Sequence, residues 1–161
     1  MRHAIAAARD VGKWPDDSRR PLTDRGVTRF RQAAQGLRRL VPSVDIVLSS
    51  PYTRAWDTSG LLHEEAGWPS PIECEQLEAE RRPIEGVEAL GAHAGRASVG
   101  LVGHEPNLSE LASLLLGMDP GRLRLKKGGA VCLQILGDAA SGAASLLWLV
   151  TPKILRLLAD E

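Results

Sequence analysis

Apolar residues recur along this chain with two different periods. Between Pro21 and Val41 they stand at Val27, Phe30, Ala34, Leu37 and Val41, in spacings of 3, 4, 3 and 4 that draw one stripe along a helix. Thr23 offers an N-cap oxygen, Asp24 an acid for the first turn, and Pro42 a stop. Val44–Leu48 is a short run rich in β-branched residues, read as a buried strand, and Ser49-Ser50-Pro51 breaks it. A second helix is expected from Pro51 to Ala66, closed by Gly67. Pro71–Gln76 reads as a short strand. Pro83–Ala94 reads as a helix with Ile84, Val87 and Leu90 on one face. Ser98–Val102 reads as a strand that runs into Gly103-His104, and Pro106–Leu116 as a helix ending at Gly117. Ala130–Leu136 and Leu146–Val150 read as strands, and Pro152 opens a terminal helix over Lys153–Leu158. Strands alternating with helices predict an α/β fold with a mostly parallel sheet. Gly137–Ser145 is short enough for a hairpin, so one antiparallel edge strand is expected.

Composition narrows the classes. A length of 161 residues, with 43% hydrophobic and 25% charged, suits one domain over 1–161 with a real core. Lys+Arg and Asp+Glu number 20 each, which argues against a general nucleic-acid binder. Aromatic residues are only 4%, too few for base-stacking platforms. Cys74 and Cys132 lie 58 positions apart with no CxxC, so two reduced thiols are expected rather than a disulfide frame or a zinc knuckle. No run of 18 apolar residues exists, so no membrane span is expected. The apolar stretch Ala4–Ala8 is too short for a signal peptide, and a cytoplasmic location is expected.

Four polar segments follow a predicted strand or open a helix. They are Arg2-His3, the Arg19–Thr23 loop, Ser49–Arg54 and Gly103–Asn107. In open α/β sheets ligands bind beyond the carboxyl ends of the strands, so these segments can share one pocket. Pooled, they offer two histidines and at least three arginines, a set suited to an anion rather than a metal. Guanidinium forks match phosphate oxygens, helix N-termini add N–H donors, and a neutral imidazole nitrogen is a competent nucleophile toward phosphorus. His63 and His93 lack this context and read as surface residues.

These residues also carry a family resemblance. Arg2-His3-Ala4 is followed by Arg20-Pro21-Leu22-Thr23-Asp24-Arg25-Gly26, then by Ser49-Ser50-Pro51-x-x-Arg54-Ala55-x-x-Thr58. Val102-Gly103-His104-Glu105-Pro106-Asn107-Leu108 and Lys126-Lys127-Gly128-Gly129-Ala130 complete the set. In this order they resemble the histidine phosphatase superfamily, in its small SixA-type phosphohistidine phosphatase branch. The resemblance implies a phosphoglycerate-mutase-like three-layer sandwich. It implies that His3 is the nucleophile, that Arg2 and Arg54 grip phosphoryl oxygens, that His104 meets the phosphoryl group in the transition state, and that Arg20 lines the pocket. It implies no metal and no other cofactor. The reaction would pass through a phosphohistidine on His3 and release inorganic phosphate. The substrate would be a phosphohistidine-carrying protein domain.

Two departures from the family pattern shape further expectations. Family members carry an apolar strand before the Arg-His pair, whereas only Met1 precedes Arg2 here, so the first strand is expected to lie upstream of Arg2. Larger relatives place a proton-donating acid after the second helix. Here Glu78 and Glu80 are the candidates, within a Glu/Arg run that reads equally as a solvated loop. The P–N bond of phosphohistidine is labile, so a weak acid suits that substrate better than an alkyl ester. Only 49 residues separate Arg54 from His104, too few for a cap over a small substrate. A small-molecule phosphomonoesterase of the same superfamily is the alternative enzyme. A non-catalytic phosphate or phosphoprotein-binding module is the alternative outside enzymes, and a metal-dependent hydrolase stands behind both.

Overall fold

A parallel sheet of three strands forms one half of the molecule, and an antiparallel pair forms the other. The computed structural model describes residues 1–160. In chain order the elements are α1 (Asp24–Leu40), β1 (Ile46–Ser49), α2 (Thr53–Ala66), β2 (Pro71–Glu73), α3 (Pro83–Gly91), β3 (Val99–Val102), α4 (Asn107–Leu115), β4 (Ala130–Ile135), β5 (Ala144–Val150) and α5 (Pro152–Ala159). The parallel sheet runs β2-β1-β3, with Leu48 of β1 opposite Ile72 and Leu101. β4 and β5 pair with Val131 opposite Leu149, and an irregularity between Cys132 and Leu133 shifts their register.

The layers follow from strand alternation. Val47 points to one face and joins Phe30, Leu37, Leu62 and Leu155, the core under α1, α2 and α5. Its neighbours Ile46 and Leu48 point the other way and join Val87, Leu108 and Leu111, the core under α3 and α4. Helices thus cover both faces, the three-layer α/β arrangement expected from the sequence.

Local signals behave largely as read; β1 and β5 start two residues away from the expected positions, at Ile46 and Ala144, and three further differences lie in β2 and α3. Thr23 caps α1, its Oγ1 accepting from Gly26 N at 2.9 Å, and Gly67 ends α2 at φ 72°. β2 stops at Glu73 because the chain turns into a 3-10 turn over Glu75–Leu77 that buries Leu77. α3 ends at Gly91 rather than Ala94. Ile84 is exposed instead of sharing the buried face with Val87, because Leu111 of α4 seats against Gly86 and turns α3 onto Gly86, Val87 and Ala89.

Residues 1–3 join the two halves. Met1 N donates to Leu101 O at 2.6 Å, Gly103 N to Met1 O at 3.2 Å, and His3 N to Gly103 O at 3.0 Å. On the other side Arg2 N donates to Gly129 O, and Gly128 N to the carbonyls of Arg2 and His3. These three residues therefore lie between the end of β3 and the start of β4, where the resemblance implies a strand. Behind Met1 the β3 and β4 edges line a cavity of about 700 Å³ that Leu101, Val131, Leu133 and Trp148 help to wall. No helix is long and apolar enough to cross a membrane among the described residues. Cys74 and Cys132 are free thiols.

Candidate active site

The site forms where the carboxyl ends of β1 and β3 meet residues 2–3 and the N-terminus of α2. His3 is 4% exposed and His104 is 2% exposed, and their ring centroids are 5.2 Å apart. The backbone bonds that tie His3 to Gly103 hold one histidine beside the strand that delivers the other. Thr58 of α2 braces the same turn: its hydroxyl accepts from Ala4 N at 3.0 Å and donates to Arg54 O at 2.6 Å. One side chain thereby couples the residue after His3 to the backbone of Arg54.

The hydrogen bonds of His3 decide its chemistry. Nδ1 lies 2.7 Å from Ala4 O. A carbonyl only accepts, so Nδ1 carries the proton and the lone pair of the neutral ring belongs to Nε2. Burial lowers the His3 pKa to about 3, and the charges of Arg54, Arg2 and Lys127 push the same way against the Ala4 bond. His3 is therefore a neutral imidazole near pH 7. Burial, then Arg54 and His3, likewise lower His104 to about 2. His104 Nε2 pairs with Ser50 Oγ at 2.9 Å, while its Nδ1 is buried without a partner among the described residues. Tyr52 packs on His104 with centroids 5.1 Å apart.

A cationic cage surrounds the two rings. Arg54 is 3% exposed, its Nη1 donates to Asp17 O at 2.7 Å, and its Nη2 lies 3.0 Å from Asp17 Oδ2 as an ion pair. Arg20 donates from Nε to Asp17 Oδ1 at 2.9 Å and from Nη1 to Ala7 O at 2.8 Å. Arg2 donates from Nη1 to Leu125 O at 2.9 Å. The Nε groups of Arg2 and Arg54 are buried with no acceptor among the described residues, so both have an N–H to give to an anion. Lys127 lies near enough for its charge to act on His3, and burial, then Arg2, Arg20 and Arg54, holds its pKa below the usual lysine value. Two neutral imidazoles among four cations are suited to a phosphoryl group, whose charge spreads over its oxygens.

The profile of the histidine phosphatase superfamily (branch 1) matches residues 1–82. An uncharacterized protein of Picosynechococcus sp. strain PCC 7002 is 34% identical over 153 residues, 91% of this chain and 86% of that protein. The chain belongs to the histidine phosphatase superfamily. Among solved structures, the protein histidine phosphatase SixA complexed with tungstate is 27% identical with a TM-score of 0.82, covering 96% of each chain. The alpha-ribazole phosphatase of Shigella flexneri shares the fold at 18% identity and a TM-score of 0.72, with 94% of this chain and 95% of that one covered.

The histidine phosphatase fold brings together five of the residues singled out in the sequence: Arg2, His3, Arg20, Arg54 and His104. Glu80 lies beside them, its Oε2 accepting from the Tyr52 hydroxyl at 2.6 Å. Glu78 is turned into a surface cluster, where its Oε2 meets Arg81 Nε at 3.2 Å. His63 is exposed, with Nδ1 2.6 Å from Trp68 O just past the end of α2. His93 is half-buried beyond α3 and belongs to no site feature. Sequence reading missed Asp17, the carboxylate that ties Arg54, Arg20 and, at 3.4 Å, Arg9. Burial would raise the Asp17 carboxyl, but Arg20 and Arg54 outweigh it and leave it below the ordinary value. Its one signal was an acid three residues before Arg20, and that spacing also describes a solvated loop.

Proposed function

We propose that residues 1–161 form a phosphatase that hydrolyses protein phosphohistidine through a covalent intermediate on His3. The observation that carries this reading is the Nδ1–H pinned to Ala4 O, which leaves the His3 Nε2 lone pair free in a neutral ring. In the first step Nε2 attacks phosphorus in line and the substrate P–N bond breaks. The substrate ring reacts in the form protonated on its other nitrogen, so that it takes the P–N electron pair and leaves as neutral imidazole. Arg2, Arg54 and His104 hold the phosphoryl oxygens as charge moves across them. In the second step water attacks the phosphoryl group, its P–N bond to His3 breaks, and inorganic phosphate departs. The proton kept on Nδ1 lets His3 leave as neutral imidazole.

A protein-borne substrate is supported by the short chain between Arg54 and His104, which holds only α2, β2, a 3-10 turn, α3 and β3. Those elements pack into the two cores, and the connection between Arg54 and His104 carries no added helical cap. A second reading, a small-molecule phosphomonoesterase, is favoured by one contact. Glu80 lies on the Tyr52 hydroxyl, one side chain from His104, where an acid could protonate an oxygen leaving group.

Phosphoryl trapping tests the proposal. Protein mixed with acetyl phosphate or a phosphohistidine peptide and quenched in alkali should yield an acid-labile phosphorylated peptide containing His3. His3→Ala should show neither label nor turnover, and chelators should leave turnover unchanged. A His3→Ala protein that still hydrolyses phosphohistidine overturns the assignment. Faster turnover of alkyl phosphate esters than of phosphohistidine peptides, lost in Glu80→Gln, moves the assignment to the second reading. Retained phosphate binding with no label and no turnover leaves a binding module.

A further inference from the structure

Formal charge balances over the chain, but one groove is wholly cationic. It runs from Arg2 and the Lys126-Lys127 loop across α1 to the start of α5. Arg2, Arg29, Lys126, Lys127, Lys153 and Arg156 line it, and no Asp or Glu does. None of the six has a carboxylate within 4.0 Å among the described residues, whereas Arg9, Arg19, Arg20, Arg31, Arg54, Arg81 and Arg82 elsewhere are ion-paired. Burial lowers the Arg156 pKa and the Arg29 charge lowers it further, so these two guanidiniums repel one another across the α1–α5 contact. Between the cations the reachable floor is apolar, formed by the half-buried Ile5 and Pro152 over the buried Phe30 and Ala33. The groove holds about 470 Å³ and opens to solvent along its length.

Its place gives it a purpose. Arg2 and Lys127 belong both to this groove and to the cage around His3, so whatever lies in it continues into the site. Like charges left together without partners cost stability, a cost that a docked polyanion removes. The floor selects among anions: carboxylates alternating with apolar side chains satisfy both walls and floor, whereas nucleic acid and a free polyphosphate have nothing to set on Ile5 and Pro152. We infer that this groove docks an acidic, partly apolar segment of the protein that presents its phosphoryl group to the site. This inference rests on the proposed action on a protein-borne phosphoryl group. The rim arginines and lysines set encounter and register, and the His3 cage performs the chemistry.

The test uses two peptides, one alternating Glu or Asp with Leu or Val, the other its Gln and Asn isostere, each with and without one phosphohistidine. Fluorescence anisotropy reads binding of the unphosphorylated forms, which needs no turnover. The acidic peptide should bind the full chain at least about tenfold more tightly than its isostere, with affinity falling steeply in salt. Arg29→Glu/Lys153→Glu should abolish that difference, and the milder Arg29→Gln/Lys153→Gln should halve it or more. Both variants should hydrolyse acetyl phosphate as the parent does. Equal binding of both peptides overturns the inference, as does a parallel fall in acetyl phosphate turnover. Tighter variant-sensitive binding of duplex DNA, inositol hexakisphosphate or anionic phosphatidylserine vesicles than of the acidic peptide also overturns it. Variant-sensitive binding of the acidic peptide, with hydrolysis of its phosphoserine but not its phosphohistidine form, would keep the groove and sink the phosphohistidine substrate.

Discussion

At the scale of single residues, the site depends on what keeps its charges apart from one another. Arg54 and Arg20 would repel if they approached a phosphoryl group unsupported. Asp17 stands between them, one carboxylate oxygen on each guanidinium, and so fixes the angle at which Arg54 enters the pocket. Asp17→Asn keeps the shape and removes the charge. Turnover should fall by about ten- to a hundredfold, because geometry at the reacting atoms is lost. Inhibition by inorganic phosphate should weaken little or strengthen, since the cage gains net positive charge. A split of kcat from phosphate affinity marks a positioning role, and loss of both together would mean that Asp17 merely holds the loop. Arg54 and His104 were legible in the sequence because they stand at a helix start and a strand end, and Arg2, His3 and Arg20 because they lie in the ordered motifs that carry the resemblance. Asp17 was not, because its partners Arg20 and Arg54 come together only through the fold. Lys127 was legible only within the Lys126–Ala130 stretch that carries the resemblance, with no role of its own, and the return of the chain to Arg2 and His3 gives it a place in the cage.

At the scale of elements, helix caps and strand faces could be read locally, and helix docking could not. Thr23, Gly67 and the apolar stripe of α1 act within a few residues of themselves. Ile84 shows the limit. Its spacing fits the buried face of α3, yet Gly86 lets Leu111 approach and the helix rolls onto smaller residues. The same logic governs α1 and α5, which pack so closely at Gly36 that an added Cβ would overlap the Leu155 carbonyl. Gly36→Ala should cost about 1–3 kcal/mol, the range for overpacking a filled interior. Gly60→Ala in α2 is the internal comparison, since a Cβ there meets nothing within 4 Å. It should raise stability by about 0.5–1 kcal/mol through helix propensity alone. Urea denaturation followed by circular dichroism compares the two, and equal effects would refute the close docking of α5.

At the scale of the molecule, the fold holds two imidazoles away from water at the junction of its two halves, and acid should find that weakness. Folded-state pKa values fall to about 3 for His3 and about 2 for His104, from an ordinary 6.5. As pH drops below 6.5 the unfolded chain takes up protons on both rings and the folded chain does not. Stability therefore falls with pH from about 6.5 down toward the folded values, and levels off only below them. Each ring contributes on the order of 1–2 kcal/mol to the loss by pH 5, a large share of the stability of an ordinary domain. Asp17, held below the usual carboxylate range, acts in a lower window, where its protonation releases Arg54 and Arg20. Urea midpoints at pH 7.5 and 5.0 measure the loss. His104→Gln should shrink it by about half, because glutamine keeps a polar group opposite Ser50 and takes up no proton. Bound tungstate should also resist the acid loss, since an anion in the cage favours a protonated imidazole in the folded state and raises its pKa toward the unfolded value. An acid loss that His104→Gln leaves intact would place the acid sensitivity elsewhere, and the cost of keeping two neutral histidines beneath four cations would have to be smaller than their burial demands.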